Sequence, residues 1–302
     1  MRTQAVADRP GAAAAWMLLA GFLFALMDAG MKWISAGYPP FQVATLRSVS
    51  ALPLVLAWIV LRGKAGTLLR VHWGLHVLRG LLGVGMMAGF VYGLARMPLS
   101  TAYAIVFVSP LLVTALAVPL LGEKVGPRRW AAIVVGLAGV LVVLRPTGEG
   151  VATAAGLSVL LAALSYSLAA ITVRKLALRD SPEAMVFWFL ALLAVFAGAV
   201  AAFDWRPVRG GDLGVIAGIG LTGALGQVAL THAFRLGEAS QIAPLEYAAL
   251  VWVVVLDLVV WNSLPDGMTW LGAAIIVASG LYLIRRERVV AARRDDGSPA
   301  GH

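Results

Sequence analysis

The chain has 302 residues, 61% hydrophobic and 13% charged, with a formal net charge of +9 and no cysteine. Soluble domains run at about 45–50% apolar and about 25% charged, so a water-soluble fold could not hide this surface and lipid must solvate much of it. Without Cys there are no disulfides or thiolate metal sites, and the basic residues lie in short loops between apolar segments, which suits orientation in a membrane and argues against nucleic acid as a partner.

Residues 1–11 are polar and carry Arg2 and Arg9. Ten apolar segments follow, at roughly 12–34, 40–61, 72–95, 98–121, 128–145, 153–176, 183–203, 212–236, 239–261 and 268–285. Each is about 17–25 residues long, enough for a helix rising ~1.5 Å per residue to cross ~30 Å of hydrocarbon. The first segment is too long for a signal peptide, holds Asp28 and Lys32, and lacks a small-residue cleavage site, so it is expected to remain as a span. Links are short and marked by Pro39-Pro40, Pro98, Gly126-Pro127, Pro146, Pro182, Pro207, Gly237 and Pro265. Successive spans therefore run antiparallel, and function must reside among the helices.

The stretch from Ala95 to Arg145 recurs from Phe234 to Arg285. Arg96 corresponds to Arg235, Trp130 to Trp270 and Arg145 to Arg285, a shift of about 140 residues that indicates internal duplication. Lys and Arg fix the sidedness. One set of loops and tails holds Arg2, Arg9, Arg62, Lys64, Arg70, Lys124, Arg128, Arg129, Arg174, Lys175, Arg179, Arg235, Arg285, Arg286, Arg288, Arg293 and Arg294; the other holds only Lys32, Arg96, Arg145, Arg206 and Arg209. The positive-inside rule places both termini in the cytoplasm, which requires an even number of crossings. Five spans per half make the halves enter from opposite faces. The expected fold is an all-α integral membrane protein of ten transmembrane helices forming two inverted five-helix repeats, 12–145 and 153–285, with cytoplasmic tails at 1–11 and 286–302. Solute would cross at the seam between the halves.

Ionisable groups inside a bilayer are costly and mark candidate sites. Asp28 lies in the outer third of the first span. Arg47 lies ~9 Å inside the outer end of the second, so the two read as a zwitterion-binding pair or as a structural ion pair, with Lys32 competing for Asp28 or snorkelling outward. Arg79 shares a face of the third span with His72, His76 and Gly83. It reads as a transport residue or as an anchor to a carbonyl or to Glu246. His72 and His76 have metal-ligand spacing but no evident third ligand, so no metal site is expected. Glu246 follows Pro244 in the ninth span, where a freed backbone carbonyl beside a carboxylate could take an ammonium group or a proton. His232 is expected at a similar depth. Asp257, ~16 Å further along, is assigned to an outer network. Pro110 and Pro244 read as paired weak points of the fourth and ninth spans. Tyr92, Tyr103, Tyr166, Trp188 and Gln227 are the candidate cavity walls, since aromatic faces with one polar atom suit an amphipathic solute. Small-residue stripes such as Ser158, Ala162, Ser165, Ala169 and Thr172 allow close helix packing.

The sequence resembles the drug/metabolite transporter superfamily in its ten-helix EamA-type branch. The resemblance rests on Phe24-Ala25-Leu26-Met27-Asp28, Arg47, Ser109-Pro110, Leu121-Gly122-Glu123, Trp130, Gly139 and Ala243-Pro244-Leu245-Glu246-Tyr247, and extends over nearly the whole chain. It implies secondary transport of small organic solutes across the inner (plasma) membrane by alternating access. Amino-acid or related metabolite export is the first expectation, and uptake of riboflavin- or S-adenosylmethionine-like metabolites the alternative. Tyr247, beside Glu246 in the same motif, joins the transport residues. The chain departs from the pattern at Asn262-Ser263, where Gly-Glu is usual. No cofactor is implied. Partners are a small-molecule substrate, membrane lipid and a coupling proton or the solute gradient itself. No Walker motif, H-E-x-x-H or G-x-S-x-G occurs, which argues against an ATP-driven motor and against the rival class of intramembrane enzyme.

Overall fold

The computed structural model describes residues 10–122, 125–144, 150–176, 179–236 and 243–295. Arg2, Arg9, Glu123, Lys124, Arg145, Pro146 and Gly237 lie outside the described residues, as do the side chains of Arg174, Arg235 and Pro244. Among the described residues there is no strand. The helices are α1 (Pro10–Ser35), α2 (Pro40–Leu61), α3 (Trp73–Leu94), α4 (Leu99–Val106), α5 (Ser109–Leu121), α6 (Pro127–Leu144), α7 (Gly150–Leu176), α8 (Pro182–Ala201), α9 (Leu213–Leu236), α10 (Ala249–Trp261) and α11 (Gly267–Asp295). Eight described helical stretches are long and apolar enough to cross a membrane, and Gly267–Leu283 is a shorter apolar one.

The fourth and ninth spans are each broken. Pro110 has no N–H to give the Val106 carbonyl. The Ser109 hydroxyl donates to that carbonyl instead, at 2.6 Å, and the helix interrupts at Phe107–Val108 between α4 and α5. In the ninth span a 3-10 turn, Ala243–Ala248, precedes α10. The two distal pieces match: α5 and α10 have 13 residues each. Both end on a left-handed residue, Gly122 (φ 70°) and Asn262 (φ 48°). Asn is the side-chain-bearing residue that best tolerates this conformation, so the unusual Asn262 keeps the helix stop that Gly122 makes in the first half.

The repeats interleave instead of standing as two separate bundles at a seam, as the sequence had suggested. α1 packs on α9, α3 on α7, α2 on α8, α4 on α10 and α6 on α11. Counted as spans these are 1 with 8, 3 with 6, 2 with 7, 4 with 9 and 5 with 10. A two-fold axis exchanging span n with span n+5 carries the first pair into the second and each of the others into itself. Small residues permit the approach. A Cβ on Gly89 would stand 2.6 Å from the Ser158 carbonyl oxygen, and Ser158 in turn donates to the Gly89 carbonyl at 3.0 Å. Gly139 and Gly272 oppose each other in the same way, each leaving room for the other's carbonyl.

Candidate functional site

Among the described residues, three polar clusters involve the ionisable groups singled out in the sequence. At the end holding the α1 C-terminus, Asp257 is fully buried. Its carboxylate accepts from the backbone N–H groups of Leu99 (3.0 Å) and Ser100 (2.8 Å), from the Ser100 hydroxyl (2.7 Å) and from Lys32 Nζ (3.3 Å). It therefore caps α4, whose first donors would otherwise be orphaned. Lys32 also donates to the Met97 carbonyl at 3.0 Å and lies 4.5 Å over the Trp261 ring. Asp257 thus belongs to a network at this end of the molecule, and Lys32 turns to it and away from Asp28.

At the opposite end, Asp180 bridges both histidines. Its Oδ1 stands 2.6 Å from His72 Nδ1, and its Oδ2 stands 2.8 Å from His76 Nε2 and accepts from the His72 N–H at 3.0 Å. Burial pushes the Asp180 carboxyl up, but the hydrogen bonds from the His72 side chain, the His72 backbone and His76 outweigh it and hold the group below the ordinary carboxylate range. The i, i+4 spacing of the histidines serves this bridge, and no cluster able to hold a metal occurs among the described residues. Sequence reading missed Asp180 because it lies over a hundred residues away. The only available signal was an acid in the loop at the same membrane face.

Between the ends lies a cavity of ≈ 130 Å³, lined from both halves by α1, α2, α3, α8 and α9. Phe24, Met27, Val55, Val186, Phe189, Leu190 and Ile219 make it largely apolar, and Arg47, Arg79 and Gln227 supply its polar atoms. Arg47 Nε donates to the Met27 sulfur at 3.3 Å, and its buried Nη1 has no partner. Arg79 Nη1 donates to the Met185 carbonyl at 2.8 Å, its guanidinium stacks 4.6 Å over Phe189, and its buried Nε has no partner.

The sequence candidates divide accordingly. Arg47, Arg79 and Gln227 meet at the cavity. Asp28 and Arg47 do not form an ion pair: among the described residues no carboxylate lies within 4 Å of Arg47. Asp28 instead accepts from the Tyr103 hydroxyl at 2.6 Å, which satisfies a carboxylate buried beside the broken fourth span. Tyr103 leads into an aromatic row, with Phe107 5.9 Å away and Tyr247 5.0 Å beyond Phe107, joining the breaks of spans four and nine. The Tyr247 hydroxyl is buried without a partner. Glu246 makes no hydrogen bond or ion pair among the described residues and is exposed in its span. Tyr166 lies within electrostatic reach of both Glu246 and Arg79.

Three candidates lie elsewhere. Trp188 donates to the Leu68 carbonyl at 3.0 Å and meets Trp73 edge-on at 4.5 Å. It anchors the loop at the His72 end and is not among the residues lining the cavity between the two ends. Tyr92 lies 3.6 Å beneath the Arg96 guanidinium near the Lys32 end. His232 stacks on Trp16 at 5.0 Å and is held by that ring. In each case an aromatic ring or a guanidinium at a helix end or on a neighbouring span captures the ring.

The description "EamA-like transporter family" belongs to the family model that matches residues 11–145 and again 153–286. The chain is 32% identical over 297 residues to a riboflavin transporter of Vibrio cholerae, covering 95% of this chain and 99% of that one. It is 31% identical to an S-adenosylmethionine uptake transporter of Rickettsia conorii, covering 93% and 95%. A pseudopaline exporter of Pseudomonas aeruginosa is 29% identical, with 90% and 95% covered.

Proposed function

The chain belongs to the EamA-like transporter family and is a multi-pass membrane transporter of small molecules, and on that premise we propose that it exports amino acids or closely related metabolites as a secondary carrier working by alternating access. The observation that carries this reading is the central cavity, walled by helices of both interleaved halves and holding buried cations. Rocking of one group of packed helices, drawn from both repeats, against the other would open such a cavity to each face in turn. The breaks at Phe107–Val108 and Ala243–Ala248 are the flexible points. Glu246, without a hydrogen bond or ion pair among the described residues, is the group assigned to receive an ammonium or a coupling proton. Both termini are assigned to the cytoplasm, in the inner membrane. Apolar walls with few polar atoms suit hydrophobic or aromatic amino acids.

A second reading is uptake of a vitamin or nucleoside-like metabolite, favoured by the similarity to the riboflavin and S-adenosylmethionine transporters. The test is flux in oriented proteoliposomes with labelled phenylalanine, leucine, riboflavin or S-adenosylmethionine, with and without a pH gradient. Saturable outward amino-acid flux supports export. Saturable inward flux of riboflavin or S-adenosylmethionine alone would replace it with the second reading. Glu246→Gln and Arg47→Ala are expected to impair flux with expression intact, and wild-type flux in both would remove them from the site.

A further inference from the structure

We propose that the central cavity is a carboxylate subsite, in which Arg47 and Arg79 together hold the anionic head of an organic acid whose apolar body lies against Phe24, Phe189 and Ile219. The inference rests on the transport reading and narrows it to a substrate class: hydrophobic organic acids, with or without an amino group.

Charge balance leads to it. A guanidinium carries five N–H donors and is never deprotonated in a protein. Two of them border one cavity, yet no Asp or Glu lines it. A purely structural buried cation would be expected to have a counter-ion as well as carbonyl anchors, as Lys32 has Asp257 beside the Met97 carbonyl. Arg47 has instead a thioether, a weak acceptor, and Arg79 has one backbone carbonyl. Each leaves a buried nitrogen unpartnered, a cost that a native structure keeps for a reason. Asp28 attracts Arg47 through the field without contact, and the Tyr103 hydroxyl occupies it. One bound carboxylate would supply the counter-charge that the lining lacks and fill the planar forks in their preferred two-point geometry.

The walls define the rest of the molecule. Apart from the two arginines the lining offers one neutral amide, Gln227, among aliphatic and aromatic side chains. An amino group finds no carboxylate there and only the Gln227 carbonyl as an acceptor, so the subsite reads the acid far more than the amine. At ≈ 130 Å³ the cavity is well below the ~300–1,000 Å³ of pockets that enclose drug-sized ligands. It has room for a carboxylate and a few carbons, and a longer body requires the helices to part. A phosphate head offers similar chemistry, but its tetrahedral bulk fits this volume less well than a planar carboxylate.

The experiment measures equilibrium binding of tritiated 3-phenylpropionate to the purified full-length protein in lipid nanodiscs, with unlabelled competitors. Saturable binding is expected. Phenylpyruvate and phenylalanine should displace the probe. 3-Phenylpropionamide, phenethylamine and phenyl phosphate should each be weaker by about tenfold or more. Arg47→Lys and Arg79→Lys keep the charge and lose the fork, and each should weaken the probe by a similar factor. Absence of saturable binding, an amide or phenyl phosphate that competes as well as the acid, or unchanged affinity in both lysine variants would overturn the proposal. The comparison of acid with amide uses only wild-type protein and so does not depend on how the variants fold. Charge-selective binding without flux in proteoliposomes would sink the transport reading and leave the subsite standing. Saturable flux with charge-blind binding would do the reverse.

Discussion

Replacing Asp257 by Ala removes the carboxylate that joins the start of α4 in the first half to α10 in the second. Two losses follow. The N–H groups of Leu99 and Ser100, now bonded at 3.0 and 2.8 Å, lose their acceptor, and loss of a helix cap costs about 0.5–2 kcal/mol. Lys32, only 12% exposed along its side chain, keeps the Met97 carbonyl and the Trp261 ring but loses its counter-ion, and stranding one member of a buried pair costs about 3–5 kcal/mol. The two effects share one carboxylate and do not add, so the expected destabilisation is about 3–5 kcal/mol. Reversible unfolding in mixed detergent–SDS micelles, followed by helical circular dichroism, measures it. Removing the stranded charge as well, in Lys32→Met/Asp257→Ala, should recover about 1 kcal/mol or more relative to the single variant. An Asp257→Ala protein within about 0.5 kcal/mol of wild type, or a double variant less stable than the single by the full cost of Lys32→Met alone, would refute the reasoning.

Three further outcomes are expected. Asn262→Gly should be neutral or slightly stabilising because φ is 48° there, whereas Asn262→Val should cost about 1–2 kcal/mol in the same unfolding assay; equal effects would contradict a left-handed helix stop. Gly89→Val places a Cβ 2.6 Å from a backbone oxygen of α7, so about 1–3 kcal/mol of overpacking is expected, and a fully stable variant would mean α3 and α7 are further apart. Asp180 has its pKa below the ordinary 3.8, so its stabilising contribution is present above that value and is lost as pH falls through the lower folded value. The stability gap between wild type and Asp180→Asn should therefore narrow as pH drops below about 4; a gap independent of pH would contradict the bridge.

The broken fourth span was legible because Pro110 cannot donate to the Val106 carbonyl wherever the helix lies. Ten spans and their pairing by a shift of about 140 residues were legible from hydropathy and from Arg96, Trp130 and Arg145 with their counterparts. The interleaving was not. In lipid a helix is apolar on its outer face as well as its packed face, so periodicity does not mark which side meets a partner. For the same reason Trp188 and Tyr92 could not be assigned to a cavity or a helix end by residue type. Asp28 and Arg47 lie within electrostatic reach of each other, but the partner choice turned on Tyr103, 75 residues from Asp28. Long-range contacts also decided Lys32 with Asp257 and Asp180 with the histidines.

Counterflow tests the central claim, that one cavity shared by interleaved inverted repeats is exposed to the two faces alternately. Proteoliposomes preloaded with unlabelled phenylalanine are diluted into trace labelled phenylalanine, and the label inside is followed over time. The account predicts a transient accumulation of label above its equilibrium level, saturable in external phenylalanine and lost with Arg47→Ala. Monotonic, non-saturating equilibration unaffected by preloading would contradict it.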